Sequence, residues 1–369
     1  MNETETRLQA TYDTLHAMPE VGFAEHLTSA WLAERIGTAG FSVTTGVGGT
    51  GVVAVLKGTE PGPVVALRAD MDALEHVVNG ETVRVHSCGH DSHCSMVLTA
   101  AEELAKAGIR RGTLKILFQP AEEKLTGATR MIEAGAIDDV DIILGIHLRP
   151  IQEAKTGQAT PALYHGSSYI MEATITGQTA HGARPHLGIN AIDGAAAAVQ
   201  AVNAIHINPV IPFTCKVTKL AAGGATLNQI PDKAVMALDL RAQQNDAMKL
   251  LLTKAEHAIK AGAATVGASA EVTVTGGVPG AEYHPEIIEL AREAIRNVLG
   301  ETGLLAPVVT PGGEDFHNFA QARPSLKAGY IGLGCNLTPG LHDPAMKFDR
   351  SALINGVNIL IHMVEKLLK

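Results

Sequence analysis

The sequence predicts an α/β protein: a larger domain built on a mostly parallel sheet with helices on both faces, interrupted by an inserted ferredoxin-like α+β domain. Three observations predict it. Helical and strand periodicities alternate through the first part of the chain, as they do in parallel-sheet folds. Beyond residue 166 the rhythm changes to β-α-β-β-α-β, the order of the split unit of a ferredoxin-like layer. From residue 285 the first rhythm returns, so the smaller domain sits within the larger. The expected boundaries are 1–166 with 280–369 for the larger domain and 167–279 for the inserted one. A chain of 369 residues, 46% hydrophobic, is long enough for two such cores.

Residues 24–39 carry Leu27, Trp31, Leu32 and Ile36 at helical spacing, and 51–57 and 64–68 then run apolar and β-branched as strands. A helix is expected over 91–107, a buried strand over 113–119, a helix over 127–134 and a strand over 141–146. The inserted domain reads as strand 168–176, helix 190–205, strands 214–220 and 233–242, helix 246–262 and strand 269–275. Helix 285–299, strands 306–309 and 328–333 and an amphipathic helix over 351–368 complete the chain. The glycines of 46–51 and Gly223-Gly224 read as turns.

A formal net charge of −9 opposes the basic field that nucleic acid or an anionic membrane selects, so small molecules or protein are the expected partners. The opening Met-Asn-Glu-Thr-Glu-Thr has neither the basic nor the apolar stretch of a secretory signal. No apolar run approaches the ~20 residues of a membrane span. A soluble, cytoplasmic protein is expected. Cys88, Cys94, Cys215 and Cys335 are too few and too scattered for a disulfide framework, which leaves at least one thiol for chemistry.

Open α/β sheets place ligands beyond the ends of their strands. Asp70 and Asp72 follow the 64–68 strand, Glu122 and Glu123 follow 113–119, His147 follows 141–146, and His342 lies beyond 328–333. Cys88-Gly89-His90-Asp91-Ser92-His93 leads into a helix. In an extended segment Cys88 and His90 face one side, so thiolate and imidazole can meet one ion, with Gly89 allowing close backbone approach. A free thiol, with a pKa of about 8.5, is mostly protonated at neutral pH, and a divalent cation would deprotonate it. A buried structural cysteine beside a helix-capping Asp91 is the plainer alternative. Glu122 and Glu123 diverge as neighbours, so one can bind metal while the other takes a proton from water. Such a pair is also ordinary on a solvated helix start. Here it follows the apolar Ile116-Leu117-Phe118 and Pro120, where a solvated face is less natural. His147, between Ile146 and Leu148, and His342, after Leu341, would singly read as core histidines. Asp70 and Asp72, two apart, either bind metal or orient a ligand by hydrogen bonding, and orientation is the favoured reading.

Taken together these residues resemble a known family. Arg68-Ala69-Asp70-Met71-Asp72-Ala73-Leu74, the Cys88 hexapeptide, Gln119-Pro120-Ala121-Glu122-Glu123, Gly145-Ile146-His147 and Leu341-His342-Asp343-Pro344 occur in order. The chain is similar to the aminoacylase and carboxypeptidase family of metallopeptidases, in the branch of hippurate hydrolase and the plant auxin-conjugate amidohydrolases. The resemblance runs from His16-Ala17-Met18-Pro19-Glu20-Val21-Gly22-Phe23 over nearly the whole chain. It implies two divalent metal ions, zinc, manganese or a related ion, held by Cys88, His90, Glu123, His147 and His342. Glu122 is then the general base and later the general acid. The inserted domain is implied to be a lid through which the chain forms a homodimer. His181, within the segment from Gly177 to His186, matches the family's oxyanion-stabilising histidine, often supplied across a dimer interface. Asn228 and Arg241 match its substrate-binding asparagine and arginine; without the family, an ordinary turn and an exposed strand charge would read as well. Gly312-Gly313-Glu314-Asp315-Phe316 matches a segment near the substrate pocket, with no catalytic role assigned.

Three departures stand out. Glu75 replaces a usual proline, and the stretch from Leu74 to Cys88 is shorter than in hippurate hydrolases, which points to a bacterial amidohydrolase subgroup with a compact loop. Asn190 replaces a common aspartate. The implied activity is cleavage of the amide bond of an N-acyl amino acid by metal-activated water. A dipeptidase or carboxypeptidase would use the same site. A catalytically silent metal-binding protein is opposed by an intact Glu122 with all five ligands. A two-metal phosphoesterase is opposed because no phosphate-cradling glycine-rich loop with lysine is present.

Overall fold

A near-continuous apolar run such as Leu114, Ile116, Leu117 and Phe118 suits a strand covered on both faces. The computed structural model, which describes residues 2–369, places that run near the centre of a seven-stranded sheet. The chain divides into two compact units. The first holds residues up to Tyr164 with Glu282–Thr310 and Asp315–Lys369, and the second holds His165–Ala281 with Pro311–Glu314.

In the first unit the strand order is Ser42–Val47, Gly51–Lys57, Arg111–Gln119, Glu60–Asp70, Ile142–Pro150, Lys327–Leu337, Ala159–Thr160. Only the four strands from Arg111–Gln119 to Lys327–Leu337 run parallel to one another. The ladders outside them are antiparallel. The sheet is therefore mixed, and the expectation of a mostly parallel sheet is met only at its centre. The cause is local: Ser42–Val47 and Gly51–Lys57 are joined by a turn too short for the crossover that parallel pairing demands.

Alternate residues feed two cores. Leu67, Ile116 and Leu144 join a core with Leu8, Leu32, Val97, Ile295 and Leu360. Their neighbours Ala66, Leu117 and Ile143 join another with Met131, Phe319 and Tyr330. This period-two alternation is what covers both faces with helices. The C-terminal helix, over Arg350–Leu368, is long and apolar enough to cross a membrane by length and composition, which corrects the expectation that no such run exists. Val357, Leu360, Met363 and Val364 are nonetheless fully buried in the first core, the pattern of a core helix.

Among the elements that escaped the sequence reading are strand Ser42–Val47, helix His317–Ala322, the first helix and a hairpin. Helix Glu3–His16 opens with a reciprocal cap, in which the Glu5 N–H donates to Asn2 Oδ1 and the Asn2 N–H donates to Glu5 Oε2, both at 2.8 Å. The compact loop after Leu74 is a hairpin, Leu74–Val78 with Glu81–Val85, turning at Asn79 and Gly80 with φ of 52° and 85°. That is the mirror-image turn an Asn-Gly pair favours. Glu75 sits opposite Arg84 in its ladder and pairs with it at 3.4 Å.

The second unit follows the order Ser167–Thr176, Ala191–Asn203, Phe213–Ala222, Lys233–Ala242, Asn245–Ala264, Ser269–Val278. Its sheet runs Phe213–Ala222, Lys233–Ala242, Ser167–Thr176, Ser269–Val278, all antiparallel. Ala195, Ala198, Leu251, Ala255 and Ile259 of the two helices pack with Met171, Ala173, Ile175, Leu238 and Leu240 of the sheet. A side chain at Gly262 would stand 2.6 Å from the Ala198 Cα, so glycine is required where the helices meet. Asn190 caps helix Ala191–Asn203 by accepting the Ile192 N–H at 3.0 Å. Aspartate and asparagine cap equally well, which accounts for the departure at this position.

Candidate metal centre

The donor atoms of Cys88, His90 and His147 lie within 4.8 Å of one another, as do those of Cys88, Glu123 and His342 and those of His90, Glu122 and Glu123. Cys88, His90 and Glu123 each belong to two trios, so the trios form one cluster in the first unit. The chemistry of the set fits divalent cations: a thiol, imidazoles and carboxylates are the donors that zinc and related ions take. His90 Nε2 and Glu123 Oε1 are buried without a hydrogen-bond partner and stand 3.8 Å apart. Leaving such groups unmet costs about 1–3 kcal/mol each, which coordination would offset.

His147 lies within strand Ile142–Pro150, which runs past the end expected for it. Its Nδ1–H donates to the Leu148 carbonyl at 2.7 Å, which turns Nε2 toward the Cys88 Sγ at 3.6 Å. Burial, with His93 and Arg149 adding to it, holds this imidazole well below its ordinary pKa and so neutral, the form that ligates.

Cys88 and His90 converge through a turn rather than an extended segment. Gly89 has a φ of 88° and caps helix His90–Ala107, so His90 is the first helical residue. Burial, then the charge of Glu123, pushes the Cys88 thiol up to about 12. A cation alongside would supply the charge that reverses this shift.

His90 Nδ1 faces Asp72 Oδ1 at 3.2 Å. The same carboxylate accepts the Glu122 N–H at 3.1 Å and the Glu123 N–H at 3.0 Å. Burial works against a charged His90, but Asp70, Cys88 and Asp72 outweigh it and raise its pKa well above the ordinary value.

Asp70 is the last residue of strand Glu60–Asp70 and is fully buried. It accepts from Arg68 Nη1 and from His93 Nδ1, both at 2.7 Å. His93 Nε2 in turn accepts the Leu148 N–H at 3.1 Å. Burial opposes the Asp70 charge, yet His90 and Arg68 hold the carboxyl well below its usual range.

Glu122 and Glu123 occupy a tight turn after strand Arg111–Gln119, in which Ala121 has a φ of 52°. The buried Glu25 carboxylate accepts the Ala121 N–H at 2.8 Å. The side chains diverge as expected: Glu122 Oε1 accepts the Asp315 N–H at 3.3 Å, while Glu123 Oε1 lies 3.3 Å from His342 Nε2. His342 has a left-handed backbone, φ 64°, and its N–H is tied to the Ser87 carbonyl at 2.7 Å. The Glu123 carboxylate alongside raises the pKa of His342.

In the second unit, His181 pairs with Gln229 in a short ladder, and the Gly182 N–H donates to the Asn228 carbonyl at 2.7 Å. His181 and Asn228 are therefore neighbours. His181 Nδ1 accepts the Ala183 N–H at 3.0 Å, so the proton resides on Nε2. Arg241 lies on strand Lys233–Ala242, where Nε and Nη2 grip both oxygens of Asp239 at 2.9 and 3.2 Å. Sequence reasoning gave no role to His93, Arg68, Gln119, Glu25 or Asp315. His93, Arg68 and Gln119 lie in motifs that pointed at the site and Asp315 in a segment matched near the substrate pocket; Glu25 alone is joined to it by a contact that leaves no local trace.

The model of peptidase family M20/M25/M40 matches residues 66–366. An IAA-amino acid hydrolase of Arabidopsis thaliana is 31% identical over 96% of this chain and 84% of its own length. The N-acetyl-L-cysteine deacetylase of Bacillus subtilis is 30% identical over 96% of this chain and 86% of its own. A dinuclear metal binding peptidase of the M20 family from Bacillus subtilis superposes with a TM-score of 0.81 at 27% identity, covering 99% of this chain and 98% of that one. The cluster of donors and these likenesses converge, and the chain is a hydrolase belonging to peptidase family M20/M25/M40.

Proposed function

We propose that this protein cleaves the amide bond of N-acyl amino acids with two divalent metal ions held by Cys88, His90, Glu123, His147 and His342. The observation that carries the reading is the set of overlapping donor trios with Glu122 beside them as a carboxylate for proton transfer. When bound, the cations would polarise the substrate carbonyl and acidify water. Glu122 takes the proton from the attacking water as the new C–O bond forms, then passes it to the amine nitrogen as the C–N bond breaks. Asp72 orients His90 through Nδ1 and fixes the Glu122 and Glu123 backbone, and Asp70 braces His93. His181, with its proton on Nε2, donates to the developing oxyanion. Asn228 and Arg241 take the substrate carboxylate. The acyl-amino acid class is supported by the relatives named for an IAA-amino acid and for N-acetyl-L-cysteine.

Glu122→Ala tests the reading. Turnover should fall roughly 10²–10⁴-fold, the share a general base supplies, with metal content near that of the parent. Retained turnover removes Glu122 from the role. Running the parent on N-acetyl amino acids beside dipeptides decides the substrate class, and faster cleavage of dipeptides would make it a dipeptidase.

A further inference from the structure

We infer that Arg68 is a positioning residue that sets the Glu122 carboxylate in place through Asp315. Arg68 is 1% exposed, and its planar fork spans two fully buried carboxylates. Nη1 donates to Asp70 Oδ2 at 2.7 Å and to the Tyr330 hydroxyl at 3.2 Å. Nη2 donates to Asp315 Oδ1 at 2.9 Å, and Nε donates to Gln119 Oε1 at 2.8 Å. The guanidinium also lies over the Phe316 ring, 5.8 Å from its centroid, which anchors the residue after Asp315.

Asp315 is held at every side-chain oxygen. Gln119 Nε2 donates to both oxygens at 2.7 and 2.9 Å, and the Ala128 N–H donates to Oδ2 at 2.9 Å. With its side chain fixed, its backbone N–H points at Glu122 Oε1. One arm of Arg68 thus reaches Asp70, which carries His93 and lies 3.7 Å from His90 Nε2. The other reaches the segment that holds Glu122. The guanidinium ties the cradle to the base.

Burying three charges is expensive, and apolar packing would stabilise the core as well or better. What a fork gives instead is direction: it fixes two carboxylates in one plane, which a lysine cannot do. The burial is therefore explained by geometry at Glu122 rather than by stability.

The inference rests on Glu122 being the base, so Glu122→Gln accompanies the test variants Arg68→Lys and Asp315→Asn. Each is measured for kcat and KM on the N-acetyl amino acid turned over fastest, for metal per chain and for thermal midpoint. Arg68→Lys and Asp315→Asn should each lower kcat at least fivefold, with KM within twofold and metal content unchanged. Combining them should cost no more than the worse single change, because both act by one route. A smaller fall in kcat in either variant, or a fall matched by lost metal or lost fold in both, overturns the proposal. If Glu122→Gln retains turnover, the base assignment itself falls; if it is dead while Arg68→Lys keeps its kcat, only the positioning role is lost.

Discussion

Asp72 makes three directed contacts with one carboxylate, to His90 Nδ1 and to the N–H groups of Glu122 and Glu123. An orienting role is the reading favoured by its spacing to Asp70, and the contacts of the two differ: Asp70 grips Arg68 and His93 instead. Spacing along a strand shows which face a residue takes and is silent on what waits there. The same limit hid Glu25 and Asp315, which act on the Glu122 turn from positions remote in sequence. Arg241 poses the converse case, since its fork is already aligned by Asp239. That alignment leaves less rotamer entropy to lose in the proposed binding of a substrate carboxylate. A hydrogen bond to a charged group contributes about 1.5–3 kcal/mol, so Arg241→Ala should raise KM for N-acyl amino acids roughly 10–100-fold with kcat less affected. An unchanged KM would take Arg241 out of substrate binding.

Apart from helix Glu3–His16, elements with strict periodicity were legible, and those that rely on turn chemistry were not. In the second unit, Met171, Ala173 and Ile175 alternate inward and the helices carry apolar residues at helical spacing, so the order of its elements could be read directly. The hairpin of Leu74–Val85 has no clean alternation, and its signal was the Asn79-Gly80 turn. Cys88 and His90 were correctly expected to meet, but by way of a left-handed Gly89 rather than a strand, because a helix start and an extended tail look alike over three residues. Helix Ala191–Asn203 offers a test at this scale. Its Asn190 cap satisfies one of the orphan N–H groups at the helix start. Asn190→Ala should lower stability by about 1 kcal/mol, whereas Asn190→Asp should leave it nearly unchanged. Urea unfolding measures both, and equal midpoints for Asn190→Ala and the parent would show that the cap contributes nothing.

The molecule as a whole has separate cores in its two units, and the insertion of one within the other was visible as an interruption and return of a single rhythm. Separate cores mean that ligand binding to one unit need not stiffen the other. The proposed donors of the metal centre come from four places in the first unit: the turn before helix His90–Ala107, the turn after strand Arg111–Gln119, strand Ile142–Pro150 and the loop beyond strand Lys327–Leu337. A cation bound there cross-links all four, and at a concentration 100 times its Kd it adds about 2.7 kcal/mol to the folded state. Without it, His90 Nε2 and Glu123 Oε1 stay buried and unmet, and their segments open more readily. Hydrogen exchange before and after chelation should therefore show faster exchange at 86–93, 120–124 and 145–149. The backbone amides of Ser167–Thr176 and Lys233–Ala242 should keep their protection, since they belong to the second unit. If elemental analysis shows the metals gone while exchange in those three segments is unaltered, the ions were bound elsewhere on the chain.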